Sequence, residues 1–155
     1  MGKKKLLDIV KYPEGILNSA TNEYVEDFGS KWIYDLAINM IHTMRSVRGV
    51  GIAASQISIP IRMAIALADN QPLVLINPEI IEHSDEQASM TEECLSCPNE
   101  AVRIDRYVWV KVKYNDLKGK EKTILLDGIN SIVAQHEIDH LNGKLIMDYK
   151  KEGES

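Results

Sequence analysis

The chain has 155 residues, enough for one domain with a substantial core. Asp+Glu 23 against Lys+Arg 18 gives a formal charge of −5, which argues against direct nucleic-acid binding because no basic stripe is available to neutralise phosphates. No apolar run approaches a membrane span or a signal-peptide core. Two cysteines make no disulfide framework, so the expected compartment is reducing: bacterial or infected-cell cytosol, with an organelle as the alternative.

Residues 6–28 mix short apolar pieces with turn formers and read as extended, wrapping chain. Ser30 caps an amphipathic helix over 31–46, in which Ile33, Leu36, Ala37, Met40, Ile41 and Met44 recur at helical spacing. Gly49-Val50-Gly51 breaks that pattern. Strand-like segments follow at 62–68, 72–77, 79–83 and 107–114, the last placing Val108, Val110, Val112 and Tyr114 on one face. Asn115 to Lys120 reads as a hairpin loop into a strand over 123–126. Asp127 as N-cap and Gly143 as stop delimit a helix over 128–142.

That last helix carries His136-Glu137-Ile138-Asp139-His140. Positions i and i+4 share a helix face, so both imidazoles can reach one ion. A carboxylate beside the first can meet an activated water without ligating the metal. Ile129, Ile132 and Val133 lead into the pair at helical spacing and predict a core-facing stripe, with Glu137 at its edge.

A catalytic ion needs a third protein ligand and an open position. Downstream, Ile146 stands where the longer zinc-protease pattern has its third histidine, and only Asp148, Glu152 and Glu154 remain, the last two in a short charged tail over 150–155. Upstream, the soft candidates are Cys94 and Cys97. His42 and His83 read as surface residues. The expected fold is α+β: mainly antiparallel sheet packed around a C-terminal metal-binding helix, with an N-terminal amphipathic helix, in one catalytic domain over 1–155.

Three segments, in order, resemble the motifs of the peptide deformylase family: Gly49-Val50-Gly51-Ile52-Ala53-Ala54-Ser55-Gln56, Glu92-Glu93-Cys94-Leu95-Ser96, and His136-Glu137-Ile138-Asp139-His140-Leu141-Asn142-Gly143. The likeness runs from about residue 6 to residue 149. It implies a metal-dependent hydrolase that removes the formyl group from the N-terminal methionine of nascent polypeptides, with release of formate. Cys94, His136 and His140 would hold one divalent ion, Fe(II) in the cell, replaceable by zinc, nickel or cobalt. Glu137 would carry the proton, while the Gln56 amide and the Leu95 backbone N–H would stabilise the oxyanion. Gly49, Val50, Gly51, Glu92, Ile129, Ile132 and Val133 would form the substrate site. The implied partners are formyl-methionyl peptides and nascent chains met by a monomer, without nucleic acid or membrane.

Glu93 departs from the family pattern, which has glycine there, and adds bulk and charge beside the cysteine. Arg103 is the candidate for the basic residue with which relatives grip the peptide. Two other readings use the same residues. Cys94, Cys97, His136 and His140 could form a closed structural zinc site in a non-catalytic module. The His pair with Glu137 could also serve a metallopeptidase that cuts internal bonds.

Overall fold

In the computed structural model, which describes residues 4–19 and 22–150, apolar alternation along two central strands decides the architecture. Strand β2 (Met63–Ala68) sends Met63 and Ile65 to one side and Ala64 and Ala66 to the other. Strand β3 (Gln71–His83) does the same with Ile76 and Leu75. A sheet apolar on both faces must be covered twice. Helix α1 (Lys31–Ser46) covers one face with Ile33, Leu36, Met40 and Met44, and helix α2 (Gly128–Leu141) covers the other with Val133, Ala134 and Ile138.

The five-stranded sheet has the order β1-β2-β3-β6-β7 and is antiparallel throughout, with β1 at Gly51–Ala53, β6 at Trp109–Asn115 and β7 at Glu121–Asp127. The expected α+β class is the observed one. Residues 1–3 and residues 151–155 of the charged tail lie outside the described residues, as do two positions, 20 and 21, of the wrapping segment. No described helix is long and apolar enough to cross a membrane.

Several boundaries differ from the sequence reading. The segments at 72–77 and 79–83 are one strand, β3, interrupted by a bulge at Asn77-Pro78. Asn77 adopts φ 52°, which asparagine tolerates, and its side chain binds the backbone of Val25 in both directions at 2.8 and 2.9 Å. The segment read as one strand at 107–114 is divided at Val108, whose N–H turns aside to the Ser84 hydroxyl at 2.9 Å. Val108 therefore does not share the buried face of Val110, Val112 and Tyr114.

A second, two-stranded sheet, β4 (Gln87–Cys94) with β5 (Cys97–Tyr107), was not anticipated from the sequence. Most of β4 is solvent-exposed and polar, so hydropathy does not mark it. Helix α1 has the expected limits, and the Ser30 hydroxyl accepts from the Ile33 N–H at 3.2 Å. Asp127 precedes α2 without a side-chain cap. It is the last residue of β7, and Gly128 at φ 56° turns the chain directly from strand into helix.

Candidate active site

Three structural units converge on one place. Helix α2 brings His136, Glu137 and His140; the β4–β5 hairpin brings Cys94 from its turn; the stretch from Gly49 through a 3-10 turn at Ala54–Ile57 brings Gln56. The sulfur of Cys94 and one ring nitrogen from each of His136 and His140 lie within 4.8 Å of one another. Cys94 Sγ is 3.4 Å from His140 Nε2, which is 3.2 Å from His136 Nε2. Three lone-pair donors packed this closely repel unless they share a cation, so the donor set itself fits a divalent ion.

Cys97, although buried and cross-strand from Cys94, is not in that group among the described residues. Its thiol instead neighbours that of Cys94, which raises the Cys94 pKa together with burial and lowers that of Cys97. The closed four-ligand zinc site is thus not formed. Cys97→Ala is expected to retain one metal ion per chain by elemental analysis; loss of the ion would restore the structural-site reading. His42 is half-buried on α1, and His83 is exposed and stacked on Tyr107 at 3.8 Å; neither joins the donors.

Glu137 is only 3% exposed rather than at the edge of a stripe, and its Oε1 has no hydrogen-bond partner. Burial pushes its pKa up to about 7. A side chain at residue 51 would collide with it, because a Cβ there would lie 2.3 Å from Glu137 Oε2. Glycine at 51 is therefore the space the carboxylate occupies. A Cβ at residue 49 would come 3.0 Å from the Leu95 side chain, so the two loops approach closely there. Gln56 is buried, held by an Ala53 N–H to Oε1 bond of 2.9 Å. Its Nε2 donates to the Ser96 hydroxyl at 3.0 Å and lies 3.8 Å from Cys94 Sγ.

A cavity of about 750 Å³ opens over these groups, bordered by Gly49, Val50, Gly51, Ile129, Ile132 and Val133. Val50 and Ile129 are 55% and 57% exposed at its mouth. Ile129 is thus not core, contrary to the stripe reading, because the first turn of α2 stands clear of the sheet; Val133 alone of the three is buried. Glu92 borders the cavity, and its carboxylate is held by two side chains. Arg106 donates to it through Nε and Nη2 at 2.8 and 2.9 Å, and His136 Nδ1 lies 2.9 Å from Oε1. Burial opposes its charge, yet these partners hold its pKa below the ordinary carboxylate value. Its hydrogen bond to Nδ1 orients His136 from the cavity border.

For His136, burial works against protonation, but Glu137 and Glu92 raise its pKa on balance; for His140, burial lowers it, and the Nδ1 of that ring has no partner. The His140 ring is thereby kept neutral near neutral pH, whereas at His136 a cation must displace a proton that its carboxylate neighbours favour.

Glu93 is exposed at the cavity border, and its φ is not positive, so the strand accepts a side chain at the position where the resemblance led to the expectation of glycine. Arg103 is exposed on β5 and does not border the cavity; Arg48 does. Sequence reasoning missed Arg106, which alternates with the buried Val102 and Ile104 on β5. An arginine in a core-facing register was the available signal, since buried arginine requires carboxylate partners.

The chain matches the sequence profile described as polypeptide deformylase over residues 6–155. It is 39% identical to the peptide deformylase of Bartonella tribocorum over 148 residues, 91% of this chain and 82% of that protein. It is 40% identical to that of Dictyoglomus thermophilum over 141 residues, 91% and 90% of the two chains. Among solved structures, the peptide deformylase of Thermotoga maritima superposes with a TM-score of 0.91 at 35% identity, covering 95% of this chain and 99% of that one. The Met-Ala-Ser-bound class I type b enzyme of Acinetobacter baumannii does so at 0.88 and 36%, covering 94% and 99%. With a donor cluster that could hold a metal ion, a buried glutamate and an overlying cavity, the chain belongs to the polypeptide deformylase family, metal-dependent hydrolases that remove the N-formyl group of nascent peptides.

Proposed function

We propose that Cys94, His136 and His140 hold the catalytic ion, that Glu137 moves the proton, and that Gln56 and the Leu95 N–H receive the developing negative charge. The observation that carries this reading is the placement of an unpartnered, fully buried carboxylate beside three convergent metal donors under one cavity. A divalent ion bound there supplies Lewis acidity and acidifies a water molecule. Glu137, with a pKa near neutrality, accepts a proton from the attacking water at Oε1 and delivers it to the departing amine nitrogen. The C–N bond of the formamide breaks, and formate and the free α-amine leave. Gln56 Nε2 is held by Ala53 and Ser96, so it offers an N–H to the oxyanion without reorganising.

Strand β1 is an edge of the five-stranded sheet and bonds only β2. Its free side, with Gly49 and Val50 just before it, is a template for an extended peptide, which would lie in the cavity between β1 and β4. Val50, Ile129, Ile132 and Val133 then offer an apolar wall to the methionine thioether. Thiolate and imidazole donors suit Fe(II), and also zinc, nickel or cobalt. The further reading is a monomeric, single-domain cytosolic enzyme acting on chains that begin with formyl-methionine.

The test is formate release from formyl-Met-Ala-Ser by anaerobically Fe(II)-loaded protein. Gln56→Leu is expected to lower kcat by about 10²-fold, the usual scale for one oxyanion donor. Unchanged kcat in that variant removes Gln56 from the oxyanion hole. Absence of any formate from the loaded wild type overturns the proposed site.

A further inference from the structure

The hydrogen bonds behind His136 continue to the C-terminal end of the described chain. Arg106, 3% exposed, donates Nε and Nη2 to Glu92 and Nη1 to Asp139 Oδ2 at 2.5 Å and to the Tyr149 hydroxyl at 3.2 Å. The Tyr149 hydroxyl donates in turn to Asp139 Oδ2 at 2.5 Å. The Tyr149 ring covers the guanidinium, with Arg106 Cζ 4.9 Å from its centroid, and Lys144 Nζ approaches the ring at 4.0 Å. Tyr149 belongs to a 3-10 turn, Ile146–Tyr149, whose Ile146 shares an apolar cluster with Cys94. Nothing in the reaction proposed above uses this turn.

Resting on the metal-site reading above, we infer that Tyr149 is a positioning residue for the metal centre, setting the orientation of His136 through Arg106 and Glu92. A guanidinium presents its donors in a rigid plane, so the groups that bind Nη1 determine the direction in which Nε and Nη2 present to Glu92. Asp139 and Tyr149 bind Nη1 together. The Glu92 carboxylate then fixes which ring nitrogen of His136 carries the proton and which faces Cys94 and His140. His140 lacks any such partner at Nδ1, so His136 is the ligand whose aim depends on hydrogen bonding. Outer partners of metal ligands typically contribute about 10–100-fold in metal affinity or activity.

Tyr149→Phe separates this role from packing, because it keeps the ring over Arg106 and removes only the hydroxyl. Wild type and variant are loaded with Co(II), and release of the ion to a chelator, the visible Co(II) absorption bands, and the melting temperature of metal-stripped protein are measured. We expect Tyr149→Phe to release Co(II) about 10-fold faster, with shifted Co(II) bands, lowered kcat at unchanged KM, and a metal-stripped melting temperature equal to that of wild type. Tyr149→Leu should exceed Tyr149→Phe in every effect. Release rate, spectrum and kcat all equal to wild type in Tyr149→Phe would overturn the inference and leave the proposed site standing. A melting temperature lowered equally with and without metal, at wild-type release rate, would mean a structural role only. Wild type that takes up no Co(II) would overturn the inference and the site together.

Discussion

Glu137→Gln is expected to lower kcat for formate release by about 10³- to 10⁴-fold, the upper range for a positioned acid–base group, with KM and bound metal near wild type. The amide keeps the shape of the carboxylate in the space left by Gly51 but cannot accept and return a proton. A kcat within tenfold of wild type would remove Glu137 as the proton carrier. The same substitution has an opposite effect on stability. Glu137 has a folded pKa of about 7 against an unfolded value of 4.5, because burial penalises its charged form. A carboxyl raised in this way favours the fold fully below 4.5, and that contribution is lost as pH rises towards 7. Each pH unit in that interval is worth about 1.4 kcal/mol, so metal-stripped Glu137→Gln should be more stable than metal-stripped wild type at pH 8 by about 3 kcal/mol. The two should be equally stable at pH 4. Urea unfolding at both pH values measures this, and equal stability at pH 8 would contradict the burial argument.

Arg106→Leu is expected to destabilise the metal-loaded protein by about 3–5 kcal/mol, since it leaves the Glu92 carboxylate buried without its main counter-charge. The double substitution Arg106→Leu with Glu92→Gln removes that stranded charge and should recover much of the loss. Activity should stay low in the double variant, because His136 is then oriented by a neutral amide in place of a clamped carboxylate. Thermal unfolding and kcat measured on the same samples separate the two effects. A double variant no more stable than Arg106→Leu alone would show that the pair contributes by packing and not by charge.

What was legible in the chain depended on the range of the interactions concerned. Helix 31–46 was readable because its cap, stripe and end are set by neighbours within a few turns. The His136–His140 spacing was readable for the same reason. Strand β4 was not, since its residues are mostly exposed and its pairing with β5 replaces hydropathy as the stabilising term. The stripe drawn through Ile129 was misplaced because helical period predicts which residues share a face, not where the sheet beneath that face stops.

By itself the sequence determined two imidazoles on one helical face with a carboxylate between them, and, through three motifs in order, the family to which such a chain is similar. The motifs already pointed to Cys94 as the third donor; only the tertiary structure shows its sulfur beside the two rings with Cys97 outside that group, Glu137 buried without a partner, and Glu92 facing Arg106 and His136. The reason is distance along the chain. Spacing on one helix is set by backbone geometry, whereas the Cys94 sulfur reaches His140 across 46 positions, and that approach exists only when the hairpin and the helix are packed together.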